Sequence, residues 1–361
     1  MNFSIPADFN AQTIKDICHL HQQYKHRVTE VYGQLTSCDM IFSAREAPSL
    51  PTADEKQLQT YIEICHANGI LFNYTLNASC LGNLEFRHDG IKMLKEFIQQ
   101  LVSYGIDSFT ITLPSLMDLV SSMDINIPIK ASAICEVTTP NKAMFYKSIG
   151  IHRLVVEPDI TRDFQKLNDI CSTFGPGVEI IVNNMCMKNC PYKKFHYNHD
   201  SHYGRGELQS IKNYYFHNCA LRRAENVENY LKINWIRPED LHFYQKVGIS
   251  CFKIQGRQNL KSNNLLRALE CYFKESYQGD VLQLFMLFSN YNSFALPLNN
   301  QKLDGYVRHF YENHNFCTDN CEKCGFCEAF SKKNMLYSDQ ATLNKKATMF
   351  YKTMQRNIWN K

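Results

Sequence analysis

The 361-residue chain has no apolar run approaching the roughly 20 residues needed to span a bilayer. Residues 1–20 also lack the basic start and apolar stretch of a secretory signal. Neither a membrane-spanning nor an exported protein is expected, and the cytoplasm is the expected compartment. Strong charge of either sign is missing too. A net charge of +4 allows a nucleic-acid partner without demanding one, because such proteins usually carry a higher pI or a clustered basic stripe. There is no G-x-G-x-x-G, P-loop or H-E-x-x-H, so no nucleotide or zinc-protease motif is present. What remains is ordinary globular composition, 44% hydrophobic and 20% charged, enough for a sizeable core. The exception is cysteine, with 15 in all. In a chain without an export signal, a reducing compartment argues against a disulfide framework, and clustered cysteines then more often mean metal.

One local pattern occurs four times: a helix-like run, then x-Gly-Ile, then a β-branched or aromatic segment. The instances are Asn68-Gly69-Ile70, Tyr104-Gly105-Ile106, Ile149-Gly150-Ile151 and Val247-Gly248-Ile249. A Gly after the last helical turn adopts the left-handed conformation freely, and the Ile begins a buried strand. The helices before them are amphipathic. Thr52 and Glu55 have capping-box spacing, followed by Leu58, Tyr61, Ile62 and Cys65 on one face. Ile91, Leu94, Ile98 and Leu101 form a comparable stripe. Further strand segments are predicted near residue 3 and at 28–35, 129–134 and 178–183, which makes eight strands alternating with helices. Eight β/α units in this length predict an α/β fold, a (β/α)8 TIM-like barrel, over residues 1–260. An open doubly wound sheet alternates in the same way and is the competing arrangement. Residues 184–248 form a long insertion after the seventh strand, where barrel loops carry chemistry or a lid. Residues 261–361 read as a C-terminal extension, helical at 261–290 and cysteine-rich at 317–327.

The cysteines fall into two groups. Cys186-x3-Cys190-Pro191 is followed by Cys219, and four thiolates are normally needed for an Fe–S cluster. The remaining ligand is sought among Cys38, Cys80 and Cys251, all near predicted strand ends. The plain alternative, buried inert thiols, fits polar-flanked cysteines poorly. The second group is Cys317-x3-Cys321-x2-Cys324-x2-Cys327, with Gly325 relieving a tight turn. Its spacing suits a 4Fe-4S cluster better than a zinc ribbon, although a four-cysteine zinc site stays open. If Cys321, Cys324 and Cys327 shared one cluster, Cys317 would be free to complete the first group. One cluster, two clusters, or cluster plus zinc are all compatible with the spacing.

Arg45, Asn77, Glu157, Asn183, Asn184 and Arg257 sit at or after predicted strand ends, where barrels bind substrate. For each, a merely solvated polar residue is the ordinary alternative. The histidines His196, His199 and His202 match no strong metal template. Lys188, Lys193, Lys194, Arg205, Arg222 and Arg223 lie among aromatics in the insertion, a mix that suits phosphate contact with base stacking.

The stretch IRPEDLHFYQKVGISCFKIQGR, residues 236–257, resembles the segment of the peptidase U32 (collagenase-like peptidase) family in which a "PEDL" helix start precedes "FKIEGR". VTTPNKAMFYKSIGIHRLVVEPDIT, residues 137–161, is similar to a second unit of that family. The resemblance implies a barrel with a 4Fe-4S cluster held by cysteines of the insertion. It also implies action on RNA bases, quinone precursors or peptides, including oxygen-independent hydroxylation with prephenate as oxygen donor. The chain departs from the family in several places. The usual His-Gly-Ala-Leu-Cys run reads Val182-Asn183-Asn184-Met185-Cys186, the acid of "KIEGR" is Gln255, a late cysteine position holds His242, and Cys317–Cys327 is additional.

Three functions are weighed. The first is an Fe–S-dependent modifying enzyme or oxidoreductase acting on an RNA base, a quinone-like small molecule or a peptide. The second is a peptidase, for which no nucleophile–base pairing is visible. The third is a non-catalytic accessory or electron-transfer subunit that works with a protein partner or as an oligomer.

Overall fold

The computed structural model describes residues 1–37, 42–45, 49–204, 214–260, 264–289, 297–335 and 340–358. Its centre is a closed parallel barrel. The strands are β1 (Asn2–Pro6), β2 (Arg27–Gly33), β3 (Leu71–Leu76), β4 (Ser108–Ile111), β5 (Ile129–Ala131), β6 (Arg153–Val155), β7 (Val178–Ile181) and β10 (Cys251–Lys253). The order β1-β10-β7-β6-β5-β4-β3-β2 closes on itself, because β1 pairs with both β10 and β2. That closure rules out the open sheet. All eight predicted strands are barrel strands. The two unpredicted ones, β8 (Asn183–Met187) and β9 (Ile233–Trp235), form an antiparallel ribbon between β7 and β10.

The four repeat glycines end helices as expected, each with positive φ. After three of them the Ile amide reaches back to the helix, for example Ile249 N–H to the Tyr244 carbonyl at 3.1 Å. Gly248 is doubly required: its φ is +97°, and a Cβ there would lie 2.9 Å from the Cβ of Cys171. The capping box before Leu58 lies two residues later than predicted. Asp54 caps, and Gln57 reaches back to its amide. Asp54 precedes the first helical residue, Glu55, so its carboxylate can reach the orphan amides, whereas Thr52 lies outside the helix.

The apolar faces of the strands pack outward against the helices, with Phe3, Phe72, Phe109, Leu154, Ile180 and Phe252 all fully buried. The inside of the barrel is different. In place of the usual Val, Ile and Leu plug it holds charge. Lys130 reaches Glu30 at 2.5 Å and Glu179 at 2.7 Å, and Arg153 pairs with both acids. Ser4 donates to Glu30 at 2.6 Å. Burial alone would raise the Glu30 carboxyl, but Lys130 and Arg153 outweigh it and hold it at about 2.

The helix Asn264–Phe273 follows β10 and packs on the barrel, where the Tyr24 hydroxyl donates to Glu270 and Phe273 lies against Phe3. A shorter helix, Val281–Phe285, packs on the β8–β9 ribbon. Trp235 of β9 lies against Phe285 and Tyr306, with the Arg162 guanidinium 5.0 Å from the Trp235 ring centroid. Arg237 is clamped by Asp240, the Asn300 carbonyl and Asp304. Among the described residues no helix is long and apolar enough to cross a membrane.

Candidate functional site

The excursion between β7 and β10 covers the carboxyl end of the barrel. Its anchor is Asn183, whose amide donates to the Gln255 and Phe285 carbonyls and whose oxygen accepts from the Gln255 N–H at 2.8 Å. The chain then runs through Cys186 and Cys190 into a helix, Lys193–Gly204, that lies across the mouth. One end of this helix is tied to the loop after β6: Lys193 is buried between Glu157 at 2.6 Å and Asp159 at 2.5 Å. The other end is tied to the loop after β3, where the Ser79 amide donates to Ser201 and the Ser79 hydroxyl to Asn198. A second helix, Tyr214–Glu225, carries Cys219.

Beneath these helices lies a cleft of about 360 Å³. Its walls include Cys186, Cys219, Asn184, Arg223, Tyr214 and Tyr215, and His196 stacks on Tyr215 at 5.0 Å. The cleft continues into a chamber of about 60 Å³ inside the barrel, lined by Tyr32, Asn77, Lys253 and Arg257 among others. Arg45, Tyr197, Gln255 and Gly256 line both spaces. Gly256, with φ +126°, stands at this threshold, and a Cβ there would press within 2.8 Å of Leu287. Arg257 is buried and donates to Gln34 at 2.6 Å.

Three thiols converge here from two distant segments. The Cys219 S–H donates to Cys190, which holds the Cys190 sulfur toward thiolate. Burial raises the Cys186 thiol, partly offset by Lys193 and Arg45. The Cys186 N–H is fixed by Asn184 at 2.9 Å. The thiols are neighbours rather than a closed cage, since no three acid, imidazole or thiol groups among the described residues form a ready coordination cluster. Of the residues considered for a remaining ligand, Cys251 opens β10 at the far end of the barrel. There Arg153 donates to it at 3.4 Å, and it is remote from the cleft. Cys80 lies in the loop after β3, at the mouth, next to Ser79. Cys38 falls outside the described residues.

The second group is separate. Cys317, Cys321, Cys324 and Cys327 line one cavity of about 170 Å³, so Cys317 sides with its sequence neighbours rather than with the cleft. Gly325 takes the left-handed turn expected of it, φ +60°. Tyr306 Oη lies 3.2 Å from Cys327. Lys188, between Cys186 and Cys190 in sequence, reaches across to Cys317 at 3.3 Å and Asp319 at 2.5 Å. Lys188 thus links the segment of the first group to the second.

Of the predicted polar residues, Arg45, Asn77 and Arg257 line the chamber and Asn184 the cleft. Glu157 lines neither and instead fixes Lys193. Arg205 lies outside the described residues. The basic set is thinner than its sequence suggests, because Lys188 and Lys193 are spent on internal pairs and Arg222 packs over Tyr192 at 5.6 Å. Sequence reading missed the inward-facing residues Glu30, Tyr32, Thr75, Lys130, Glu179 and Lys253. Their signal was a charged or hydroxylated residue interrupting an otherwise apolar strand.

The sequence profile of peptidase family U32 matches residues 15–278. The chain belongs to peptidase family U32. A relative from Methanocaldococcus jannaschii, described as an uncharacterized protease, is 25% identical over 337 residues, covering 92% of this chain and 98% of its own. A solved structure described as a U32 peptidase has a TM-score of 0.50 at 13% identity, covering 70% of this chain and 91% of that one. At that identity the likeness speaks for the shared barrel.

Proposed function

We propose that Cys186, Cys190 and Cys219 hold an iron–sulfur cluster, and that this U32 protein is an iron–sulfur-dependent modifying enzyme. The observation that carries the reading is the convergence of three thiols at a cleft that opens into the barrel, with Cys186 and Cys219 on its wall and Cys190 against Cys219. Thiolates are the natural ligands of such clusters and four are usual, so three of four positions fit and Cys80 is the candidate for the last. Bound there, a cluster supplies one-electron chemistry or an open Lewis-acid position. The chain's own residues do the rest. The helix Lys193–Gly204 keeps water from the mouth, Tyr214 and Tyr215 offer flat walls to a planar substrate, and Arg45 and Arg257 receive negative charge.

Oxygen-independent hydroxylation or a related redox modification is the finer reading. The substrate is an RNA base, a quinone-like small molecule or a peptide. The internal use of Lys188 and Lys193 leaves little surface for a long phosphate backbone and favours a small or single-base substrate. The four thiols of the extension are proposed as a second metal site, iron–sulfur or zinc. Peptidase activity is the second reading, supported by the descriptions of the relatives.

The deciding experiment is iron, sulfide and zinc content per chain, with a visible spectrum, on protein purified without oxygen. About four irons with matching sulfide for each cubane supports the proposal. Iron-free protein that cleaves peptides overturns it in favour of the peptidase.

A further inference from the structure

Two lysines project into the barrel, and they are treated in opposite ways. Lys130 is compensated by Glu30 and Glu179. Lys253, on β10 nearer the mouth, is also buried, with 8% of its surface exposed against 1% for Lys130. Yet its Nζ makes no hydrogen bond or ion pair with any described residue, and its nearest company is the Tyr32 ring, 3.6 Å to the centroid. A cation–π contact contributes about 0.5–2 kcal/mol. Burying an ammonium costs several kcal/mol, so the ring alone does not account for a charged lysine here. Burial pushes the Lys253 ammonium down to about 7. Lys130 and Arg257 add to that, against the opposing pull of Glu179 and Glu30. The amine is thus substantially neutral near neutral pH.

What it faces is a chamber without a carboxylate among its described lining residues, entered past Arg45 and Arg257. A second buried group in the same chamber is also uncommitted: the Thr75 hydroxyl, on a residue 3% exposed, has no hydrogen-bond partner. Buried polar groups are ordinarily paired, and an orphan in a cavity wall points to something the cavity receives. The chamber, about 60 Å³, has room for a small group but not for a whole substrate of any size. It accepts one end of a molecule whose remainder lies in the larger cleft.

We propose that Lys253 is an imine-forming nucleophile for a small aldehyde or ketone that carries an anionic group. The neutral Nζ adds to the carbonyl carbon, and the carbonyl π pair moves to oxygen, which takes up a proton to give a carbinolamine. Expulsion of that hydroxyl as water, with loss of the last nitrogen proton, leaves the imine. The step is redox-neutral and needs no metal. Arg45 and Arg257 receive the anionic group, and Thr75 is the hydroxyl available to the departing oxygen.

The test is reductive trapping on the full chain. Wild-type protein is treated with glyoxylate and cyanoborohydride near neutral pH and mapped by peptide mass spectrometry. The expected result is a carboxymethyl adduct on Lys253 ahead of exposed lysines such as Lys194. Propanal, lacking the charge, should label Lys253 more slowly. Lys253→Arg should lose the adduct at that position, and Thr75→Val should slow its formation. Adducts on surface lysines with Lys253 unmodified overturn the proposal, and this reading of wild-type protein stands even if a variant fails to fold. Equal labelling of Lys253 by propanal and glyoxylate overturns the anionic part. Neither result depends on cluster content.

Discussion

The two cysteine groups present the same side chain on different supports. The extension group is local, four thiols within residues 317–327, with Cys321 and Cys324 exposed to solvent. The cleft group is assembled from afar. Cys190 and Cys219 meet from two segments: Cys190 precedes the helix Lys193–Gly204, which is pinned to loops of the barrel, and Cys219 sits on the helix Tyr214–Glu225, which packs on the C-terminal helix Gln340–Ile358 through Leu221, Ala347 and Tyr351. A local group rests on its own turn, whereas an assembled one inherits the stability of everything beneath it.

The sharpest break in this comparison is Cys190→Ser. Under the proposed cluster and second metal site, it is expected to remove essentially all iron and sulfide from the cleft while leaving the metal of the extension in place. Cys324→Ser is expected to do the reverse, and metal analysis of both variants purified without oxygen decides. Loss of both metals in either variant would mean one shared site.

Next in size is Lys193→Met, which leaves Glu157 and Asp159 facing each other without their cation. A loss of about 3–5 kcal/mol in unfolding free energy is expected, together with lower iron occupancy in the cleft alone. Lys194→Met, one residue on and exposed, should stay within about 0.5 kcal/mol. Denaturant titration of the pair measures the difference.

The barrel floor sets a pH limit on the cleft group. The Glu30 carboxyl, about 4.5 when unfolded, is held at about 2 when folded. Its contribution is fully present above 4.5 and is lost as pH falls through that value toward 2, a decline of about 3 kcal/mol. Unfolding free energy followed across that window should show this slope in wild type and a shallower one in Lys130→Met. The smallest effect is expected for Lys188→Met. It removes a partly exposed ion pair between the groups, for about 1 kcal/mol or less, and leaves both metal contents unchanged.

Much of the barrel was legible in the sequence because its signals are local. The x-Gly-Ile repeats report helix ends, and short β-branched runs report strands. The extension cysteines were legible for the same reason. What escaped depends on closure. Glu30, Lys130 and Glu179 lie 49 or more residues apart in sequence, and nothing in VTEVYG or IKASA says that their charges meet. Cys251 looked like a mouth residue because it adjoins a strand end, but the strand runs away from it toward the cleft. Glu157 was correctly marked as a strand-end residue, but its partner, Lys193, belongs to the insertion and turns it from a candidate ligand-binding group into an anchor.

The floor of the barrel also constrains how such a sequence can drift. Glu30, Arg153, Lys130 and Glu179 form a closed set of two acids and two bases. Loss of either base leaves two fully buried carboxylates sharing one cation, and loss of either acid leaves the buried Lys130 one partner short. Relatives should therefore keep all four, or exchange them in compensating pairs. A residue varying alone at any of these positions would mark a lineage whose barrel has been rebuilt inside.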